Sequence, residues 1–186
     1  MTKREQFIQW IGDAHAMEVG IVTTLEKHIA DAKGHPKIRA ALAKHLKETK
    51  LHATEMKKAL AALGGSHPVL KEGMSKLANL AAGLITTAAA DTIVKNAIAD
   101  FATEHLEIAC YNSLILTATA LGEKKIANTC KSILKDERAM AKFLDGQFEA
   151  TNDAYLATLD DEPVDNSKAK APTPSRRTGT TAQSKK

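Results

Sequence analysis

Prolines occur only at positions 36, 68, 163, 172 and 174, which leaves Val69 to Glu162 without one. Proline breaks helices and gathers at turns, so a proline-free stretch of this length is seldom seen in sheet proteins with frequent turns. Aromatic residues make up 4% of the chain and glycines number ten, which also disfavours a β-sandwich. Alanine, the residue with the best helix propensity, is abundant. At 186 residues the chain is sized for a single core.

The remaining punctuation divides the chain into helices. Thr2 and Glu5 have capping-box spacing, predicting a first helix that runs to about Lys33. Gly34-His35-Pro36 closes it and opens a second, with Pro36 in the first turn where its missing N–H costs nothing. The second ends at Gly64-Gly65, and a weaker, alanine-rich helical segment follows to Ala90. Asp91 is placed to cap a third long helix ending near Leu121. A fourth starts at Glu123 and reaches about Phe148, with a continuation to Leu159. The expected fold is all-α, a four-helix bundle of two antiparallel hairpins joined by a helical crossover between helices two and three. It occupies residues 1–159, and residues 160–186, rich in Asp, Pro, Ser, Thr and Lys, read as a disordered tail.

The net charge of +4 and pI near 9.0 invite a nucleic-acid reading. The positive excess is nevertheless local to the tail. Lys168, Lys170, Arg176, Arg177, Lys185 and Lys186 lie in its last twenty residues, which contain no Asp or Glu. Cys110 and Cys130 form no CxxC pair and read as small buried residues in a reducing compartment. The basic N-terminus leads into an amphipathic pattern with no signal-peptide core, and no apolar run approaches the roughly eighteen residues of a membrane span. A cytoplasmic protein is expected.

The apolar seams are more informative for what interrupts them. The first helix gives Phe7, Ile11, Ala14, Glu18, Ile21, Leu25 and His28. The second gives Ile38, Leu42, His45, Thr49, His52, Met56, Ala59 and Leu63, with Glu48 between the two histidines on the same side. The third gives Ile93, Ala97, Phe101, Glu104, Ile108, Tyr111 and Ile115, with Glu107 three residues after Glu104. The fourth gives Ile126, Cys130, Ile133, Glu137, Met140 and Leu144. A carboxylate therefore sits near the middle of the core side of each helix, and no Lys or Arg falls on these seams. Several buried carboxylates need a counter-charge, and a pair of iron or manganese ions is what a bundle of this kind accommodates. The alternative is that these Glu residues turn to the rim and pair with Lys or Arg. The Glu-x-x-His motif usual in such sites is absent, because Leu51 follows Glu48 at that spacing and Met140 follows Glu137.

Four segments, Asp13-Ala14-His15-Ala16-Met17-Glu18, His45-Leu46-Lys47-Glu48-Thr49, Glu104-His105-Leu106-Glu107-Ile108-Ala109 with Tyr111, and Leu134-Lys135-Asp136-Glu137-Arg138-Ala139, resemble the YciE/YciF family of ferritin-like proteins, over a span from Phe7 to Phe148. The resemblance implies a ferritin-like bundle that pairs as a homodimer, a link to stress responses, and ferroxidase chemistry on O2 or peroxide at a di-iron site. Carried over by position, it makes Glu18, Glu48, Glu107 and Glu137 metal ligands, one per helix, with Glu104 as an extra carboxylate. His45 and His52 are then nitrogen ligands or their outer partners, and His45 reads equally as a hydrogen-bonded core histidine. Tyr111, one turn after Glu107, is either a hydrogen-bond partner of a ligand carboxylate or a core aromatic.

His15, His28, His35 and His67 are expected to be solvated or capping, His105 to lie on a flank, and Trp10 to serve packing. Asp13 is a candidate outer partner of the site. Two functions remain open at this point. One is oxidation of two Fe(II) ions per chain, with peroxide dismutation at a dimanganese site as a variant. The other is a non-enzymatic helical stress protein whose tail makes weak, salt-sensitive contacts with nucleic acid or an acidic partner. A ferritin-type cage is disfavoured, since the fifth short helix of such cages has no counterpart in the disordered tail, residues 160–186.

Overall fold

A computed structural model describes residues 1–65 and 91–159. The expected crossover and the basic tail lie outside the described residues. Within them α1 spans Lys3–Asp31, α2 Pro36–Ala62, α3 Thr92–Ala120, α4 Lys124–Asp145 and α5 Phe148–Leu156. A 3-10 turn, Ala32–Gly34, links α1 to α2. None of these helices is long and apolar enough to cross a membrane.

The ends follow from the local residues. Thr2 Oγ1 accepts from the Glu5 amide at 3.1 Å while Glu5 Oε2 accepts from the Thr2 amide at 2.7 Å, closing the capping box. Helix α2 ends in a Schellman motif, in which the Gly65 amide donates to the Leu60 carbonyl and the Gly64 amide to that of Ala61. Gly64 takes the left-handed φ of 76° that this motif requires, and Gly122 repeats the device after α3 at φ 75°.

Short links make α1/α2 and α3/α4 antiparallel hairpins, and these two pairs form the largest contacts in the bundle. The seams expected on α1, α2 and α4 are buried from end to end. On α3 the buried row differs from the expected one, running Asn96, Asp100, Glu104, Glu107, Tyr111, Leu114 and Ala118. Ile93, Phe101, Ile108 and Ile115 pack half-buried against the core. This helix carries apolar residues around much of its circumference, so hydrophobic spacing alone did not fix its register.

The fourth helix does not run on to Leu159. It stops at Asp145, and the Gly146-Gln147 corner leads into the nine-residue α5, which packs on α3. The expected continuation of helix four to Leu159 is therefore corrected to a separate short helix, while the expectation that the tail holds no fifth helix falls outside the described residues. A glycine at the end of a helix is a ready stop, and the pattern that continues past it belongs to a separate element.

Candidate metal centre

Each of the four long helices brings a group into the middle of the bundle. Helix α1 supplies Glu18, α2 supplies His45 and His52, α3 supplies Glu104 and Glu107, and α4 supplies Glu137. All six are buried. They form two groups whose ligand atoms lie within 4.8 Å of one another: His45, Glu104, Glu107 and Glu137 in one, Glu18, His52 and Glu137 in the other. Glu137 belongs to both, as a bridging carboxylate would.

The contacts follow this division. His45 Nε2 is 3.2 Å from Glu104 Oε1 and 3.4 Å from Glu137 Oε2. His52 Nδ1 is 2.8 Å from Glu137 Oε1 and 3.8 Å from Glu18 Oε2. The Tyr111 hydroxyl, fully buried, donates to Glu18 Oε1. This contact is the first of the two roles open to Tyr111.

Glu48 stands apart from the other sequence candidates. Its side chain is 26% exposed, and Oε1 accepts from Lys44 Nζ at 2.5 Å. Its other oxygen lies 3.5 Å from the outward nitrogen of His45, Nδ1. The two imidazoles, not a carboxylate, are what α2 brings to the interior. Asp136 occupies the matching place on the opposite wall, with Oδ2 3.3 Å from His52 Nε2. Both histidines thus turn one nitrogen toward the buried carboxylates and the other toward a half-exposed one, the arrangement that fixes the orientation of metal-binding imidazoles.

Burial dominates the electrostatics. It pushes the Glu18 carboxyl up to about 8, reinforced by the charge of Glu137 and opposed by His52 and Tyr111. Burial likewise raises Glu104 to about 7 against the opposing pull of His45. Glu107, with burial first and Glu137, Glu18 and Glu104 adding to it, stands well above the usual carboxylate range. Burial works against a charged His45, but Glu104, Glu137 and Glu48 together outweigh it and lift the imidazole to about 9. At Glu48 the effect of partial burial is overcome by Lys44, and the carboxyl is held below its ordinary value.

Hydrogen bonds do not satisfy this cluster. Glu18 Oε2, Glu104 Oε2 and both oxygens of Glu107 are buried with no hydrogen-bond partner, while His45 and His52 meet Glu104 and Glu137 as close ion pairs without hydrogen-bond geometry. Leaving one such group unpaired costs about 1–3 kcal/mol, and more if it is charged. So many in one place are compatible with a metal site, and a donor set of carboxylates with two imidazoles suits iron or manganese. The site departs from the usual Glu-x-x-His plan in a specific way. Thr49 stands three residues before His52, is buried, and uses its hydroxyl on the His45 carbonyl at 3.0 Å. His45 and Glu104 complete the first group instead.

Several groups were not found by sequence reasoning. His28 is buried, not solvated, and its Nδ1 lies 2.6 Å from Asp100 Oδ1. His15 is buried as well. Asp100 and Asp136 are brought to their histidines across 72 and 84 residues of sequence, and no local spacing signals either. Trp10 is 42% exposed, in a groove between α1 and α3 that it shares with Asp13 and Cys110. Asp13 is therefore placed in that groove beside Cys110. His105 lies on a flank, its Nδ1 2.9 Å from the Phe101 carbonyl.

Known structures share this architecture. A protein from Xanthomonas campestris pv. campestris matches with a TM-score of 0.71 at 28% identity, over 84% of this chain and 97% of its own. The E. coli stress protein YciF matches at 0.67 and 24% identity, over 82% and 98%. A Rhodobacter capsulatus bacterioferritin, solved with a metal-free dinuclear site and a haem iron, matches at 0.63 and 18%, over 87% and 96%. The bundle is ferritin-like, as the resemblance to YciE/YciF proteins implied. Residues 2–157 match the family model described as "Domain of unknown function (DUF892)", and the chain belongs to that family.

Proposed function

We propose that this protein is a di-metal carboxylate oxidoreductase that takes two Fe(II) ions per chain and oxidises them with O2 or peroxide. The observation that carries this reading is Glu107. Its carboxyl is fully buried, and among the described residues it has neither a hydrogen bond nor an ion pair, although it stands within ligand distance of His45, Glu104 and Glu137. A side chain in that state is costly in the empty protein and becomes favourable when a cation arrives.

The residues divide the work. His45, Glu104 and Glu107 would hold one ion, Glu18 and His52 the other, and Glu137 both. Two bound Fe(II) ions would supply two electrons, enough to reduce one H2O2 with two protons to two waters. Tyr111 fixes one oxygen of Glu18 and leaves the other for metal. The raised carboxyls of Glu18 and Glu107 hold protons at neutral pH and that of Glu104 is part-protonated, so loading releases protons and becomes tighter as pH rises. Buried apolar neighbours one turn away, Ala14 and Ile21 on α1 and Ile133 on α4, keep the chamber dry. Manganese in the same cage would suit peroxide dismutation.

Anaerobic titration with Fe(II) should reach about two ions per chain, and air should then produce Fe(III) absorbance. Glu18→Ala and Glu107→Ala should each abolish that signal. Iron loading unchanged in both variants would contradict the assignment.

A further inference from the structure

A buried centre must be filled from solvent, and the clefts among the described residues differ in whether they reach it. The groove between α1 and α3, about 440 Å³, is lined mainly by Trp10, Ala14, Met17, Ala109 and Leu114, and no residue of the centre forms part of its wall. The second, about 190 Å³ between α2 and α4, is smaller and different in kind. Its lining includes His45 itself, with Lys44 and Glu48 from one helix and Asp136 and Met140 from the other. His45 is 1% exposed and forms part of the cleft wall, with Nδ1 3.5 Å from Glu48, outside hydrogen-bond geometry, and Nε2 turned to the buried carboxylates. Glu48 and Asp136 are 26% and 38% exposed, so both carboxylates face solvent and a ligand imidazole at once.

We propose that the α2/α4 cleft is a capture site for divalent cations, where Glu48 and Asp136 take a hydrated Fe(II) or Mn(II) ion from solvent before it passes to the buried ligands. Lys44 is the resident counter-ion that the cation displaces. This rests on the di-metal reading. The charge logic is simple: two carboxylates at a partly enclosed mouth concentrate cations locally, while the Lys44 ammonium, 2.5 Å from Glu48, competes with them. It also explains why a carboxylate one step off the α2 seam stays half-exposed while the site it adjoins is sealed.

A capture role and an orienting role for the same carboxylates separate kinetically. Loss of capture slows association, whereas loss of imidazole orientation speeds dissociation. The test uses the full-length, metal-free chain and Co(II) alone. Stopped-flow mixing with a free-metal indicator dye reads association, and transfer to excess chelator reads dissociation. Glu48→Gln and Asp136→Asn should each slow association by about tenfold and flatten its dependence on ionic strength, over and above the faster dissociation that a loosened imidazole gives. Lys44→Ala, at a side chain 75% exposed, should speed association, an effect that a merely structural role would not give. Association at the native rate in all three variants, or a change confined to dissociation, overturns the capture site alone. A native chain that takes up no Co(II) removes the di-metal reading beneath it.

Discussion

Two buried histidine–carboxylate clusters share α1 and α3 but differ in composition. Toward one end, His28 meets Asp100 at 2.6 Å, one base with one acid, and burial raises the Asp100 carboxyl despite the opposing pull of His28. In the middle, His45 and His52 face Glu18, Glu104, Glu107 and Glu137, and most of the acid oxygens have no hydrogen-bond partner. The first cluster is matched one to one, so its carboxylate has a partner without metal. The second has more acids than bases, so its carboxyls must either keep protons or take up added cations. Burial of polar groups is therefore not itself a sign of a site in this fold; an unmatched surplus of them is.

The largest effect expected from that contrast is at Glu137, the residue common to both metal groups. Glu137→Ala should weaken metal binding by at least about a hundredfold, measured by calorimetric titration, because the loss falls on both ions. His28→Ala should do the reverse of this. It breaks the matched pair and should cost about 3 kcal/mol in denaturant melts, while loading still reaches two ions. A His28 variant that loses metal would join the two clusters into one and break the comparison.

The pH dependence should also carry the signature of the surplus. Glu18 stands at about 8 in the folded chain against an ordinary 4.5, so the folded state binds the extra proton across that window. Its contribution to stability is complete below about 4.5 and is lost as pH climbs through 8. His45, lifted from 6.5 to about 9, acts in the same direction and loses its contribution as pH rises through 9. The melting temperature of the metal-free protein should fall by about 5 °C or more between pH 6 and 9, and Mn(II) should largely abolish the fall. A flat profile without metal would show that the acids are matched after all. The smallest expected change is Tyr111→Phe, which frees the Glu18 oxygen it holds and should weaken binding by about tenfold at one of the two ions.

The seams of α1, α2 and α4 were legible because each alternates clearly between apolar and charged faces, so Glu18, His45, His52 and Glu137 could be placed in the interior from spacing alone. On α3 the expected row passed through Phe101 and Ile108, yet it still contained Glu104 and Tyr111, because the true and expected rows cross there. Glu48 shows the limit of helical spacing. It falls between His45 and His52 in sequence, and only the position of Lys44 and the neighbouring α4 turn it to the rim. The Asp100 and Asp136 contacts depend on how two hairpins dock, which no local pattern encodes.

Metal stoichiometry tests the central claim most directly. The metal-free chain, titrated anaerobically with Fe(II) at pH 8, should bind about two ions, with Glu107→Ala binding fewer and His28→Ala binding the native number. Binding of no iron by the native chain, or equal binding by the native chain and Glu107→Ala, would contradict the account.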